Sequence, residues 1–262
     1  MKTNLKSEKM MTIIFAVLSI SGFLVIWHLI VTLTDLHLLI PGPIPVFQLF
    51  YLSLFNPIGK YTLIQHTMFS IFRVFVGFSL GAVVGLVLGI AMGRSRMIDA
   101  IVNPIFNLIR PIPGIAWIPM AILWFGIGEP TKYFIIFMGG FANVLLNTYA
   151  GSKYVDKKLI GAAQMLGASK RNVFIYVVIP GSLPYIFAGL QVSLSTSWMA
   201  VLAAEMVCAN EGVGYLIIGG MQSGNTTQIL VGMIAIGLVG LVLASLMRSA
   251  EKRLCAWNIR EG

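Results

Sequence analysis

Charge is scarce in this chain. Of its 262 residues, 10% are Asp, Glu, Lys or Arg, while 58% are hydrophobic. Soluble domains carry about 25% charged residues, so a water-soluble core of this size is excluded. Cysteine is scarce too. Cys208 and Cys255 stand apart from each other and from any histidine, without a C-x-x-C, which excludes a disulfide framework and a thiolate metal site. The only histidines are His28, His37 and His66. There is no G-x-x-x-x-G-K-[ST] loop to cradle phosphate, no H-E-x-x-H and no G-x-S-x-G. No acid–base pair or nucleophile–base arrangement assembles from what is left. The chain therefore reads as a non-enzyme: if it works on a solute, that work is movement, with energy from another chain.

What the sequence has in quantity is long apolar runs. Crossing a bilayer takes about 20 apolar residues, and six segments qualify, near 11–34, 67–93, 98–126, 131–151, 173–208 and 228–248. The first exceeds a signal-peptide core and lacks a clear A-x-A site, so it reads as a retained span. The Lys and Arg residues sort between the two sides. All but Lys60, Lys132, Arg73 and Arg110 fall on the side that holds both termini. By the positive-inside rule that side is the cytoplasm. This distribution explains the net charge of +9 without a nucleic-acid partner. The expected divisions are a cytoplasmic tail over 1–10, a first span and external loop over 11–64, a core over 65–250 with a cytoplasmic loop at 152–172, and a tail over 251–262.

Polar and small residues inside the spans carry the functional reading. Gly77, Gly81, Gly85, Gly89 and Gly93 form a stripe at spacing four, which lets helix backbones approach closely. Packing within one subunit is the plain reading, and a dimer seam or sliding surface the alternative. The third segment carries prolines at 104, 111, 113 and 119 and a polar stripe of Asp99, Asn103, Asn107 and Arg110. Arg110 precedes Pro111 and is expected to leave the helical region. Two placements stay open: a broken span lining a pathway, since irregular backbone survives at membrane depth only beside protein or a cavity, or a helix lying flat on the cytoplasmic surface. Asn143 with Asn147, and Ser193 with Ser197, are expected to hydrogen-bond between helices. Arg73 is expected to snorkel to the outer interface. Glu205 is either functional or the partner of Arg73 or Arg110. The candidates for lining a translocation path are Arg110, Trp117, Asn143, Asn147, Ser197 and Glu205.

The stretch GAAQMLGASKRNVFIYVVIP (161–180) interrupts the membrane segments. Lys157 to Met165 is predicted as a short helix with small side chains. Gly167 provides a turn, and Ala168 and Ser169 open a second helix that Pro180 and Pro184 interrupt. Such a helix suits docking into a partner's groove.

This stretch resembles the E-A-A-x3-G-x9-I-x-L-P pattern of permease subunits of binding-protein-dependent ABC importers. Gly161, Ala162, Ala163, Gly167, Val177, Ile179 and Pro180 fall at its positions, with Gly161 replacing the usual glutamate. RPIPGIAWIPMAILWFGIGEPTKYF (110–134) and AEMVCANEGVGYLI (204–217) are similar to the nitrate/sulfonate/taurine branch. The likeness covers roughly residues 65–255. It implies an all-α type I importer permease of about six transmembrane helices in the cell membrane, with both termini cytoplasmic. It further implies a second permease chain, an extracytoplasmic solute-binding protein, and a cytoplasmic ABC ATPase that holds ATP and Mg, so that this chain carries no cofactor. The ATPase-coupling positions it implies are Gly161, Ala162, Ala163, Gly167, Ala168, Ser169, Lys170 and Pro180. The coupling subunit of a vitamin-type (energy-coupling factor) importer is the alternative, but its Ala-Arg-Gly-type signatures are absent.

Overall fold

The apolar runs all become helices in a computed structural model of the chain, which describes residues 2–255. In order they are α1 (Lys2–Leu33), α2 (Pro43–Phe55), α3 (Leu63–Arg94), α4 (Arg96–Ile109), α5 (Ile118–Phe125), α6 (Glu129–Lys153), α7 (Lys157–Met165), α8 (Lys170–Val173), α9 (Ile179–Cys208), α10 (Val213–Gln222) and α11 (Thr226–Leu254). Among the described residues the only β pairing is an isolated bridge between Ile58 and Tyr61. Five segments are long and apolar enough to cross a membrane. A sixth is the pair α4–α5, bent by 87°. Helix α1 takes in the expected N-terminal tail, because nothing ahead of the apolar run stops a helix. Arg260 and the end of the expected C-terminal tail lie outside the described residues.

The chain divides into two compact units, Met1–Ile64 with Leu216–Ile234, and Gln65–Tyr215 with Ala235–Gly262. In the first, Pro43 opens α2 at a position where its missing N–H costs nothing. Val46 is fully buried, while α1 from Met10 to Leu33 is almost wholly exposed. Large exposed apolar surface of that kind is a lipid or partner contact.

The second unit is built around α6. The glycine stripe of α3 runs parallel to it in one-to-one register. A Cβ at Gly77 would lie 2.6 Å from Ile136 Cβ, at Gly85 3.0 Å from Leu145 N, and at Gly89 2.9 Å from Leu145 O, while Gly93 meets Ser152. Ser152 Oγ donates to the Gly89 carbonyl at 3.2 Å. Helix α9 packs antiparallel on another side. Gly139 faces Ala200, Gly140 faces Ser193 and Ser197, Gly151 faces Tyr185, and Gly189 faces Asn147. Each glycine lets its helix close onto the side-chain base and the backbone of the neighbour. Such contacts hold helices together in lipid, where apolar burial adds little.

The pair α4–α5 covers a third side of α6. Asp99 of α4 bonds Tyr149 and Lys153, and Phe106 packs on Phe141 and Leu145. Beyond the bend, Gly114 abuts Gly139, Ile118 and Ala121 pack with Ile135, and Thr131 donates to the Ala121 carbonyl. The contacts thus advance along α6 from its last turn to its first. That register fits α4–α5 as one broken span better than as a helix lying flat. Arg110, however, does not leave the helical region. It has φ −52° and ψ −40°, and its N–H bonds Phe106 O at 2.8 Å. This backbone bond outweighs the steric preference ahead of proline, and the chain turns only at 111–113.

Pro180 and Pro184 do not interrupt the fifth span, which is helical from Lys170 to Cys208. Phe174–Val178 winds as a π-helix directly ahead of Pro180. The wider turn relieves the clash of the proline ring with preceding carbonyls.

Replacing Gly85 by leucine is expected to lower stability by about 1–3 kcal/mol, because backbone atoms of α6 cannot yield to the new side chain. Gly237→Leu, which meets nothing within 4 Å, is the control. Thermal unfolding in detergent checks both, and equal melting temperatures would contradict the packing described.

Candidate functional site

Arg73 sits on α3, is 2% exposed, and is encircled by carboxylates. Its Nε and Nη2 donate to Glu129 at 2.9 and 2.7 Å, and Nη2 also donates to Glu211 Oε1 at 2.9 Å. Nη1 donates to Glu205 at 2.8 Å and to the Glu211 carbonyl at 2.9 Å. All five guanidinium N–H groups therefore have an acceptor. Glu205, fully buried, also accepts from Ser70 Oγ at 2.8 Å and from Gly214 N–H at 2.9 Å. Ser70 Oγ in turn accepts from Val213 N–H, and His66 Nδ1 accepts from Gly212 N–H at 3.0 Å. Lys132 adds a second cation, 2.7 Å from Glu129. Two cations against three carboxylates leave one net negative charge.

Arg73 is thus no snorkelling residue. Its fork locks the turn after α9 to α3 and α6, because burying it without those acceptors would cost far more than their desolvation. The reading of Glu205 as a partner of Arg73 is the one the geometry carries. Glu129, Lys132 and Glu211 were missed from sequence. The available signal was their scarcity: with only nine acids in the chain, a buried cation must draw on few candidates.

The end of the second unit that carries α7 holds a smaller cluster. Asp99 Oδ2 accepts from Tyr149 Oη at 2.7 Å and from Lys153 Nζ at 3.1 Å, and Lys153 also bonds Tyr149. This cluster joins α4 to the last turn of α6. From there the chain passes to α7, which Asp156 caps by accepting Lys158 N–H at 2.8 Å. No residue of α7 is buried, and Met165 and Leu166 are 85% and 88% exposed. Gly167 has φ +80°, a conformation open chiefly to glycine. Ser169 caps α8 by accepting Asn172 N–H, and Lys170 is exposed. A Cβ at Gly161 or Gly167 meets nothing within 4 Å. Gly161, Ala162, Ala163, Gly167, Ala168, Ser169 and Lys170 thus form one segment of exposed and half-buried residues, and Pro180 lies beyond it in α9.

Of the sequence candidates for a path, the structure brings Arg110 and Asn143 together. They line a cavity of about 210 Å³ at the bend between α4 and α5, against Met138–Ala142 of α6. Asn143 Nδ2 donates to Thr196 Oγ1 across to α9 at 3.0 Å. Asn147 bonds within its own helix, to the Asn143 carbonyl, because Gly189 fills the space opposite it. Ser197 Oγ donates to Ile136 O at 3.3 Å across the seam, whereas Ser193 Oγ finds no partner. Trp117 packs tilted against Trp124 and edge-on against Phe134, and it does not line the cavity.

Helices of this length, order and register define a polytopic helical membrane protein. The sequence pattern of the family described as "Binding-protein-dependent transport system inner membrane component" matches residues 81–254. The taurine transport system permease protein TauC of Escherichia coli is 34% identical over 92% of this chain and 88% of its own. The nitrate import permease protein NrtB of Synechocystis is 34% identical over 86% and 83%. A chain of the MetNI methionine ABC transporter, solved in inward-facing conformations, superposes with TM-score 0.59. It is 21% identical and covers 74% of this chain and 94% of that one. The chain belongs to the inner-membrane permease subunits of binding-protein-dependent ABC transporters, in the branch that includes the taurine and nitrate permeases, and it has the type I importer fold.

Arg73→Met is expected to destabilise the protein by about 3–5 kcal/mol, by leaving Glu205 buried and unpaired. The double variant Arg73→Met/Glu205→Leu should recover part of that loss. Thermal unfolding of the three proteins checks this, and strictly additive losses would mean the two side chains act independently.

Proposed function

We propose that this permease forms the path for a small oxyanion-bearing solute and couples its import to ATP hydrolysis on a separate ATPase subunit. The observation that carries the coupling half is the segment 156–170. It is capped at both helix starts and none of its residues is fully buried, so it is folded yet leaves most of its surface open. A rigid helix with small side chains fits a groove on a partner. Asp99, Tyr149 and Lys153 supply the link by which a force on α7 reaches α4 and the bend. ATP and Mg²⁺ belong to the ATPase in this reading. The chain works with a second permease copy and receives solute from an extracytoplasmic binding protein. The distribution of Lys and Arg supports cytoplasmic termini and a cytoplasmic α7.

Alternating access requires that ATP and solute each bind the inward- and outward-open states with different affinity. The close glycine contacts around α6 support movement of α3, α6 and α9 as one body. The named solutes of the relatives support the oxyanion class, taurine through its sulfonate and nitrate directly.

Gly167→Val introduces a β-branched residue at φ +80°, a strain of roughly 1–2 kcal/mol, in open space. The expected outcome is a complex that assembles and hydrolyses ATP but loses most solute uptake in proteoliposomes. Full uptake would contradict the coupling role. Deleting 156–170 should abolish co-purification of the ATPase. Gly161→Glu, which restores the residue usual in the family, should leave assembly intact because nothing lies within 4 Å of it.

A further inference from the structure

The two arginines within the spans have opposite surroundings. Arg73 is neutralised by three carboxylates, whereas Arg110, among the described residues, has no ion pair. Its level in the structure makes this consequential. The residues of α6 that share its cavity, Met138 to Asn143, lie at the middle of a 25-residue helix. At 1.5 Å per residue they are roughly 14–21 Å from its start, far from either end. A cation at that depth is costly unless it is paired or faces a water-filled cavity.

Among the described residues no carboxylate is available to pair with it. Glu129, Glu205 and Glu211 are held by Arg73, and Asp99 is held by Lys153. Of the other described acids, Asp35, Asp156 and Glu251 fall in end turns or outside the apolar spans.

A polar route leads to it. Asp99, Asn103, Asn107 and Arg110 follow one face of α4, with Asn107 Nδ2 donating to Asn103 Oδ1 at 2.9 Å. This stripe climbs from the last turn of α6, beside Lys153, to the cavity at its middle. At about 30 Å³ per water, the 210 Å³ there admits roughly seven waters, or one small oxyanion with part of its hydration shell. Arg110 and Asn143 are the residues with polar side chains among those that line it, and a planar guanidinium fork matches a carboxylate-like or sulfonate-like group through paired N–H···O bonds.

We propose that the cavity at the α4–α5 bend is a mid-membrane binding site for a small oxyanion, anchored by Arg110. The inference rests on the transport reading above and locates the solute within it. Larger organic solutes bearing one such group enter only with the group leading, because the cavity holds little more than the head.

The test uses the permease in its complex with the ATPase, in nanodiscs, with Cys208 and Cys255 replaced by serine and Ala142→Cys as a reporter in the cavity wall. The rate of N-ethylmaleimide labelling is measured with sodium nitrate, methanesulfonate or chloride at matched ionic strength. Nitrate and methanesulfonate are expected to slow labelling, with chloride much weaker. Arg110→Gln should raise the oxyanion concentration needed by at least about tenfold, the scale of one charge-assisted hydrogen bond, and Arg110→Lys should fall between. Protection that persists in Arg110→Gln, equal protection by chloride, or no protection by either oxyanion would each overturn the site. These results come from binding alone. A chain that co-purifies its ATPase yet shows no protection refutes the site, and one that fails to co-purify it refutes the coupling reading.

Discussion

Close approach of backbones around α6 is the constraint on which the second unit depends. Lipid offers apolar side chains no reason to leave it, so helices hold together through short contacts and a few buried polar bonds. The glycines of α3 and Gly139, Gly140, Gly151 and Gly189 at the α6–α9 seam provide those contacts. Because α6 is held on two sides, the third side fixes where α4–α5 bends. Gly114 can meet Gly139 only because neither carries a side chain. The cavity at the bend is a consequence of that meeting.

Charge is distributed on the same scaffold with little to spare. Three of the nine acids hold Arg73 and pin the turn after α9 at one end of the second unit. One acid, Asp99, ties α4 to α6 at the other end, next to the exposed helix α7. Between the two lies Arg110, which has no ion pair among the described residues. Structural and functional roles of the intramembrane charges thus separate by neutralisation: an arginine whose every N–H is satisfied is part of the framework, and one facing a polar-lined cavity is free to meet a solute.

Much of this was legible in the sequence. Hydropathy set the spans to within a few residues, since a bilayer imposes their length. Helix α7 and its turn followed from the small residues after Lys157 and from Gly167, and the stripe at spacing four marked the packing face of α3. What escaped depended on three-dimensional pairing. Arg73 lies at a depth from which it could have reached the interface, and only the arrival of Glu129, Glu205 and Glu211 from three distant segments decides otherwise. The helical Arg110 and the unbroken helix through Pro180 show local preferences yielding, in one case to a single backbone bond and in the other to a π turn.

The central claim is that α4 and α5 accompany α6 through the membrane as one broken span with the polar stripe ending at its middle. Cross-linking in native membranes with a short thiol reagent tests it most directly, using the pairs Phe106→Cys/Phe141→Cys and Ile118→Cys/Ile135→Cys. The account predicts that both pairs cross-link efficiently. Cross-linking of the second pair alone would place α4 on the membrane surface and contradict it.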